Sequence, residues 1–327
     1  CGSDAYHIPL ILDMSDRIDE AHFANALQSV CRRHYRLKEV IKTLDNSIAV
    51  HQLLDEEIDI SRQDIEDDAL FEHLRHEISR PFDLAHQHPI RVVIYKGENR
   101  TVALMLIHHI AFDGWSTKIF MRDLTSFYDF YANGIEPDLP SLTIGYDDFA
   151  IWQRAYFSGE LLEKQAEYWR NKLSGYESLS LPTDYSRPKE QSYQGADYEF
   201  ELDESITASL DALSASCNTT LYSTLLSIYY LLLHHYSSQK EIIVGVPVSN
   251  RHYPQVEELV GFFVNTLVLR IEVDNDLPIK DWISQVHGLL VEAQGHQDYP
   301  FEQLIELLDV EQDLSRHPIF QVCFDAD

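Results

Sequence analysis

Two apolar runs of strand length, Ile90–Tyr95 and Thr101–Ile107, flank the turn residues Lys96-Gly97-Glu98-Asn99. Short apolar runs bounded by turn residues are strands, so this stretch predicts a β-hairpin. Helical spacing follows directly. Ile119, Phe120, Leu124, Phe127 and Tyr128 recur through Trp115–Tyr131, and Gly134 with Pro137 marks the stop. A hairpin running into an amphipathic helix sets a mixed α/β class.

The same alternation continues in both directions. The apolar run at 8–12 predicts a strand, and Ile18, Phe23, Leu27 and Val30 predict a helix over Asp16–Val30. A strand is expected at Ser47–Leu53 and a helix over Asp64–Ser79, stopped by Pro81. Asp64, Glu66, Asp67 and Asp68 read as the solvated start of that helix, favoured by its dipole. Asp148–Leu173 is helical, and Ser174–Asp197 is an irregular crossing rich in Gly, Pro and Ser. Beyond it lie a strand at Ala196–Leu202, helices at Ser205–Ser216 and Tyr222–Tyr236, strands at Glu241–Val248 and Leu267–Val273, and a helix at Ile279–Ala293. At 327 residues the chain exceeds the usual reach of one core. Two lobes are therefore expected, at residues 1–173 and 196–327, joined by a crossing at 174–195, each an α/β or α+β two-layer sandwich.

Composition removes several function classes. The chain carries 25 Lys+Arg against 54 Asp+Glu, a net charge of −29, which repels nucleic acid and anionic membranes alike. Cys1, Cys31, Cys217 and Cys323 are scattered without the spacing of a disulfide framework or zinc site, consistent with reduced thiols in the cytoplasm. The start, Cys1-Gly2-Ser3-Asp4, has no basic or apolar leader pattern and no run reaches the roughly 18 apolar residues of a membrane span, so neither export nor membrane insertion is expected. Metal and nucleotide motifs are also missing from the sequence.

The chemistry concentrates in Ile107-His108-His109-Ile110-Ala111-Phe112-Asp113-Gly114-Trp115-Ser116, between a strand end and a helix start. Neighbouring side chains of an extended segment face opposite ways, so His108 and His109 cannot both address one cleft. A neutral imidazole can accept a proton from an amine or hold it by hydrogen bonding near pH 7. Asp113 is placed to fix the loop through an ion pair, and Gly114 removes a side chain where backbone or ligand passes closely. The plainer alternative is a packed or surface histidine pair, with Asp113 capping the helix. His234-His235 serves as an internal control: it lies within a helix, lacks a following Asp-Gly, and is read as structural.

The segment His108–Gly114 matches the H-H-x-x-x-D-G motif of the condensation domains of nonribosomal peptide synthetases, within the wider chloramphenicol acetyltransferase-like superfamily. Tyr146–Arg154, Val260–Thr266, His296–Glu302 and Ser315–Pro318 resemble further condensation motifs in the family's order, and the resemblance runs from about Ala5 to Phe324. It implies a pseudo-dimer of two acetyltransferase-like lobes in a V, with an active-site tunnel at their junction. Upstream donor and downstream acceptor carrier proteins would deliver substrates there on 4'-phosphopantetheine arms, beside an adenylation domain, with no cofactor bound by the domain itself. Such domains build antibiotic and other secondary-metabolite peptides.

By the same resemblance His109 faces the tunnel as the catalytic residue. His108 and Asp113 hold the loop beside Gly114, Trp115 and Ser116, and Asn265 supports the tunnel. Tyr146, Asp148 and Trp152 are read as packing residues. Arg33–Lys38 resembles the R-H-x-x-L-R motif but carries Lys38 where the family has the arginine that pairs with the motif aspartate; an ammonium cannot form that bidentate fork. The family's first motif and its closing elements are not found, so more residues are expected at both ends. The resemblance leaves an epimerization domain or a non-catalytic docking module as alternatives. The wording Ala111–Ser116 resembles the subtype that takes a D-configured donor.

Overall fold

The computed structural model describes residues 4–14, 18–44, 48–192, 195–310 and 313–326, giving backbone alone for 43, 44 and 48–50. Cys1, the first residues of the helix expected from Asp16, and Ser47 lie outside them. The chain divides into two compact units, residues 1–153 with 251–263, and residues 154–250 with 264–327.

The first unit runs β1 (His7–Asp13), α1 (Glu20–Arg33), β2 (Glu39–Leu44), β3 (Ile48–Leu53), β4 (Ile60–Asp64), α2 (Leu70–Ser79), β5 (Ile90–Lys96), β6 (Thr101–His108), α3 (Gly114–Asn133) and, up to Gln153, most of α4 (Tyr146–Tyr156). Its main sheet has the order β1-β6-β5-β4. The expected hairpin forms in the register Ile90↔Ile107 to Lys96↔Thr101. Both faces of this hairpin are covered, which is why its sequence is continuously apolar rather than alternating. Val92, Ile94, Ala103, Met105 and Ile107 pack beneath Phe23 and Leu27 of α1 and Phe120 and Leu124 of α3. Val93, Tyr95, Leu104 and Leu106 pack against Leu70, Leu74 and Ile78 of α2 on the opposite face. Each such side chain contributes roughly 1.5–3 kcal/mol on burial.

Two sequence expectations change here. Helix α1 starts at Glu20, where the Asp19 carboxylate accepts the Ala21 and His22 amides. The helix expected over Asp64–Ser79 begins only at Leu70, because Ile60–Asp64 pairs in parallel with β5 as an edge strand. Asp67 is no dipole partner: its carboxylate accepts the backbone and side-chain N–H of Asn99, tying down the β5–β6 turn. A side chain at Gly97 would collide with that carboxylate, so keeping the Asp67–Asn99 tie in place favours glycine there.

The second unit holds α5 (Gly159–Leu173), α6 (Glu204–Ser216), α7 (Leu221–Ser237), β7 (Glu241–Val248), β8 (Asn265–Glu272), α8 (Ile279–Gln294) and α9 (Phe301–Leu307). Strands β7 and β8 pair antiparallel from Glu241↔Glu272 to Val248↔Asn265, and Gly245 bridges Cys323 in parallel on the other side of β7. Ala166, Trp169 and Leu173 of α5 join the core made by Leu226 and Tyr230 of α7, Ile242 and Val244 of β7, and Trp282 and Val286 of α8. This burial moves the boundary drawn at 173: the apolar face of α5 belongs to the second core, and residues 251–263 return to the first unit. Among the described residues the strand expected at Ala196–Leu202 joins no sheet, and its Tyr198 and Phe200 are 89% and 73% exposed. His234, in the last turn of α7, donates its Nδ1 hydrogen to the Gln239 carbonyl, a structural role. Among the described residues no helix is long and apolar enough to cross a membrane.

Candidate active site

Strand β6 ends at His108, and His109–Ala111 form one 3₁₀ turn before α3 starts at Gly114. The turn gives the two histidines different surroundings. The His108 Nδ1 accepts the Ile110 amide at 3.1 Å, and its ring packs among Tyr6, His7 and Phe82. Burial above all, with His7 and His109 nearby, lowers its pKa to about 4. The ring therefore stays neutral as a loop anchor.

His109 is oriented from its other side. Its Nδ1 lies 2.7 Å from the Phe112 carbonyl, and a carbonyl only accepts, so the Nδ1–H donates. In the neutral ring this leaves the basic lone pair on Nε2. The Phe262 ring meets the imidazole edge-on at 4.9 Å between centroids, limiting its rotation.

Asp113 is wholly buried and caps α3 by accepting the Ser116 amide at 2.8 Å and the Ser116 hydroxyl at 2.7 Å. Its ion-pair partner is Arg251, whose Nη2 lies 3.0 Å from each carboxylate oxygen. The Phe263 amide also donates to Asp113 at 3.1 Å. Arg251 spends Nη1 on the Val256 and Leu259 carbonyls at 2.8 and 2.6 Å, so one guanidinium ties the 251–263 segment to the histidine loop. Ser116 Oγ adds to this by accepting the Gly261 amide at 3.1 Å, and Trp115 donates its indole N–H to the Glu257 carbonyl at 3.0 Å. A Cβ on Gly261 would strike the Tyr146 ring, which explains that glycine.

Lys38 is indeed not the partner of Asp113; its ammonium lies 3.4 Å from the Asp55 carbonyl. Arg36 reaches the same loop differently, donating to the Ile110 carbonyl at 3.1 Å while stacking over Tyr146 at 4.8 Å. Arg36 also pairs with Glu39 and His51. Glu39, His51 and Asp147 form a group with metal-ligand types, and the Arg36 guanidinium already pairs with its Glu39. Sequence reasoning missed Arg251. Its only local signal is a charged residue just after β7, where Asn250 turns the chain with φ of 53°.

The contacts also bear on the expectations for Gly114, for Asn265, and for Tyr146, Asp148 and Trp152. Gly114 was expected where backbone or ligand passes closely; a Cβ there would meet nothing within 4 Å outside its own helical turn, so no close approach of protein backbone requires it. Asn265 lies in the second unit and spends its amide there: Nδ2 donates to the Gln297 and Tyr299 carbonyls at 2.7 Å each, and Oδ1 accepts the Phe301 amide at 3.1 Å. It is a clamp for the segment leading into α9. Tyr146, Asp148 and Trp152 pack as expected: Tyr146 donates to the Phe262 carbonyl, Asp148 accepts the Gly145 amide, and Trp152 meets Tyr253 edge-on.

The condensation domain model matches residues 2–326. The chain belongs to the condensation domain family. This condensation domain is 35% identical over 329 residues to malpinin synthetase of Mortierella alpina, covering 98% of this chain and only 4% of that protein. It resembles a chain in the complex of the X-domain and OxyB from teicoplanin biosynthesis with a TM-score of 0.89 and 26% identity, over 99% of this chain and 74% of that one. It also superposes on a four-domain nonribosomal peptide synthetase bound to AMP and glycine, with a TM-score of 0.85 and 24% identity over 98% of this chain and 25% of that one. The last likeness establishes the fold of the condensation domain, a chloramphenicol acetyltransferase-like arrangement.

Proposed function

We propose that this condensation domain forms an amide bond between two carrier-bound substrates, with His109 receiving the acceptor amine. The observation that carries the reading is the hydrogen bond from His109 Nδ1 to the Phe112 carbonyl at 2.7 Å, which commits the ring's lone pair to Nε2. The acceptor's α-amine attacks the carbonyl carbon of the donor thioester, forming the C–N bond and an oxyanion. Nε2 either takes the amine proton or holds the amine while the tetrahedral intermediate forms. Collapse then breaks the C–S bond, and the departing sulfur carries the proton. Donor and acceptor arrive on the 4'-phosphopantetheine arms of upstream and downstream peptidyl carriers, with an adjacent adenylation domain and a cytoplasmic setting. The domain supplies no cofactor of its own.

His109→Ala, tested with two loaded carriers and mass spectrometry of the product, is expected to slow dipeptidyl-carrier formation by about 10²–10⁴-fold while carrier affinity holds. Unchanged product formation would overturn the reading and favour a docking module, a second reading supported by the likeness to the X-domain solved with OxyB. Rapid α-proton exchange on a single loaded carrier without acceptor would favour epimerization instead. Matched D- and L-configured donors test the expected preference for D.

A further inference from the structure

Arg36 is buried, and its guanidinium leads to His109 by two routes. The first is direct: Nη2 donates to the Ile110 carbonyl at 3.1 Å, inside the stretch that separates His109 from the Phe112 carbonyl orienting its ring. A single 3₁₀ turn has poorer hydrogen-bond geometry than an α-helix, and this one is closed by the Phe112 amide on the His109 carbonyl at 3.2 Å. A charge-assisted bond onto its middle carbonyl stiffens it. The second route passes through Tyr146, whose ring lies under the guanidinium at 4.8 Å and whose hydroxyl donates to the Phe262 carbonyl at 2.7 Å. The Phe262 ring in turn meets the imidazole edge-on. On the far side Nη1 donates to the buried Glu39 carboxylate at 2.8 Å and reaches His51 Nδ1, which holds the guanidinium in place.

We propose that Arg36 is a positioning residue for His109, holding both the turn that carries the imidazole and the phenyl ring beside it. The inference rests on His109 receiving the acceptor amine. Arg36 acts through the Ile110 carbonyl and through Tyr146. A catalytic group displaced by a fraction of an ångström turns over more slowly while substrate still binds. Glu39 makes this role separable from stability. Arg36→Lys keeps a cation beside the carboxylate but loses the planar fork that spans Glu39 and Ile110.

The test measures dipeptidyl-carrier formation from two loaded carriers with the full-length protein. Arg36→Lys is expected to lower kcat by about 10–100-fold while KM for the acceptor carrier stays within about twofold and the thermal melt holds near the parent's. The pair Arg36→Met and Glu39→Gln removes both buried charges together and is expected to show the same kcat loss, so the result does not hang on the folding of one variant. In the His109→Ala background neither change should slow the residual rate further, because the group being positioned is gone. Equal fold-losses with and without His109 would overturn the proposal, as would a parental kcat in either folded variant. Those two results leave the functional reading standing. Parental turnover by His109→Ala alone would overturn that reading and this inference with it.

Discussion

Arg251 sits 3.0 Å from both carboxylate oxygens of Asp113, and neither side chain is exposed to solvent. Buried charges are costly unless paired and hydrogen-bonded; here the carboxylate is met by the Arg251, Ser116 and Phe263 donors, while the Arg251 Nε is left without a partner. The histidine loop is thereby fixed by a residue 138 positions away in sequence.

Asp113→Ala and Arg251→Ala are each expected to destabilise the domain by about 3–5 kcal/mol, because each leaves the other charge buried and unpaired. The double variant should lose much less than the sum. Urea unfolding of all four members of the cycle measures this, and strict additivity would mean that the pair does not couple. Arg251→Lys should fail to rescue, since one ammonium cannot also hold the Val256 and Leu259 carbonyls.

His108 makes stability depend on pH. Its folded pKa of about 4 lies below the ordinary histidine value, so between about 6.5 and 4 the unfolded chain binds the extra proton. The contribution is complete above about 6.5 and is lost as pH falls through that window. His34, His88, His296 and His317 are also lowered, chiefly by burial, and act in the same direction. His108→Asn retains an acceptor for the Ile110 amide, so its melting temperature should fall less steeply with acid than the parent's.

Asn265→Ala removes three hydrogen bonds at once and leaves the Gln297 and Tyr299 carbonyls and the Phe301 amide without that partner. A loss of roughly 2–4 kcal/mol is expected from denaturant unfolding. Faster amide exchange should concentrate at 297–307, the clamped segment and α9.

Gly114→Ala separates folding from access. The added methyl group meets nothing within 4 Å outside its own helical turn, so the thermal melt should hold or rise slightly. A slowed condensation rate with intact stability is expected if substrate passes that position, and an unchanged rate would remove Gly114 from the access path.

The sequence by itself determined what depends on near neighbours. Apolar runs and helical spacing located β5, β6, α1, α3, α7 and α8, because burial periodicity is written along each element. The spacing from His108 to Gly114 located the histidine loop, since a strand end, a turn and a helix cap follow one another within a few residues. Only the tertiary structure decided which core α5 joins, that Asn265 clamps the chain before α9, and that Arg251 neutralises Asp113. Each of these is a choice among distant partners, and the chain offers 25 cations to one buried carboxylate without local signal to rank them. Chain closure and the cost of an unpaired buried charge make that selection, and both operate only once the fold has brought the segments together.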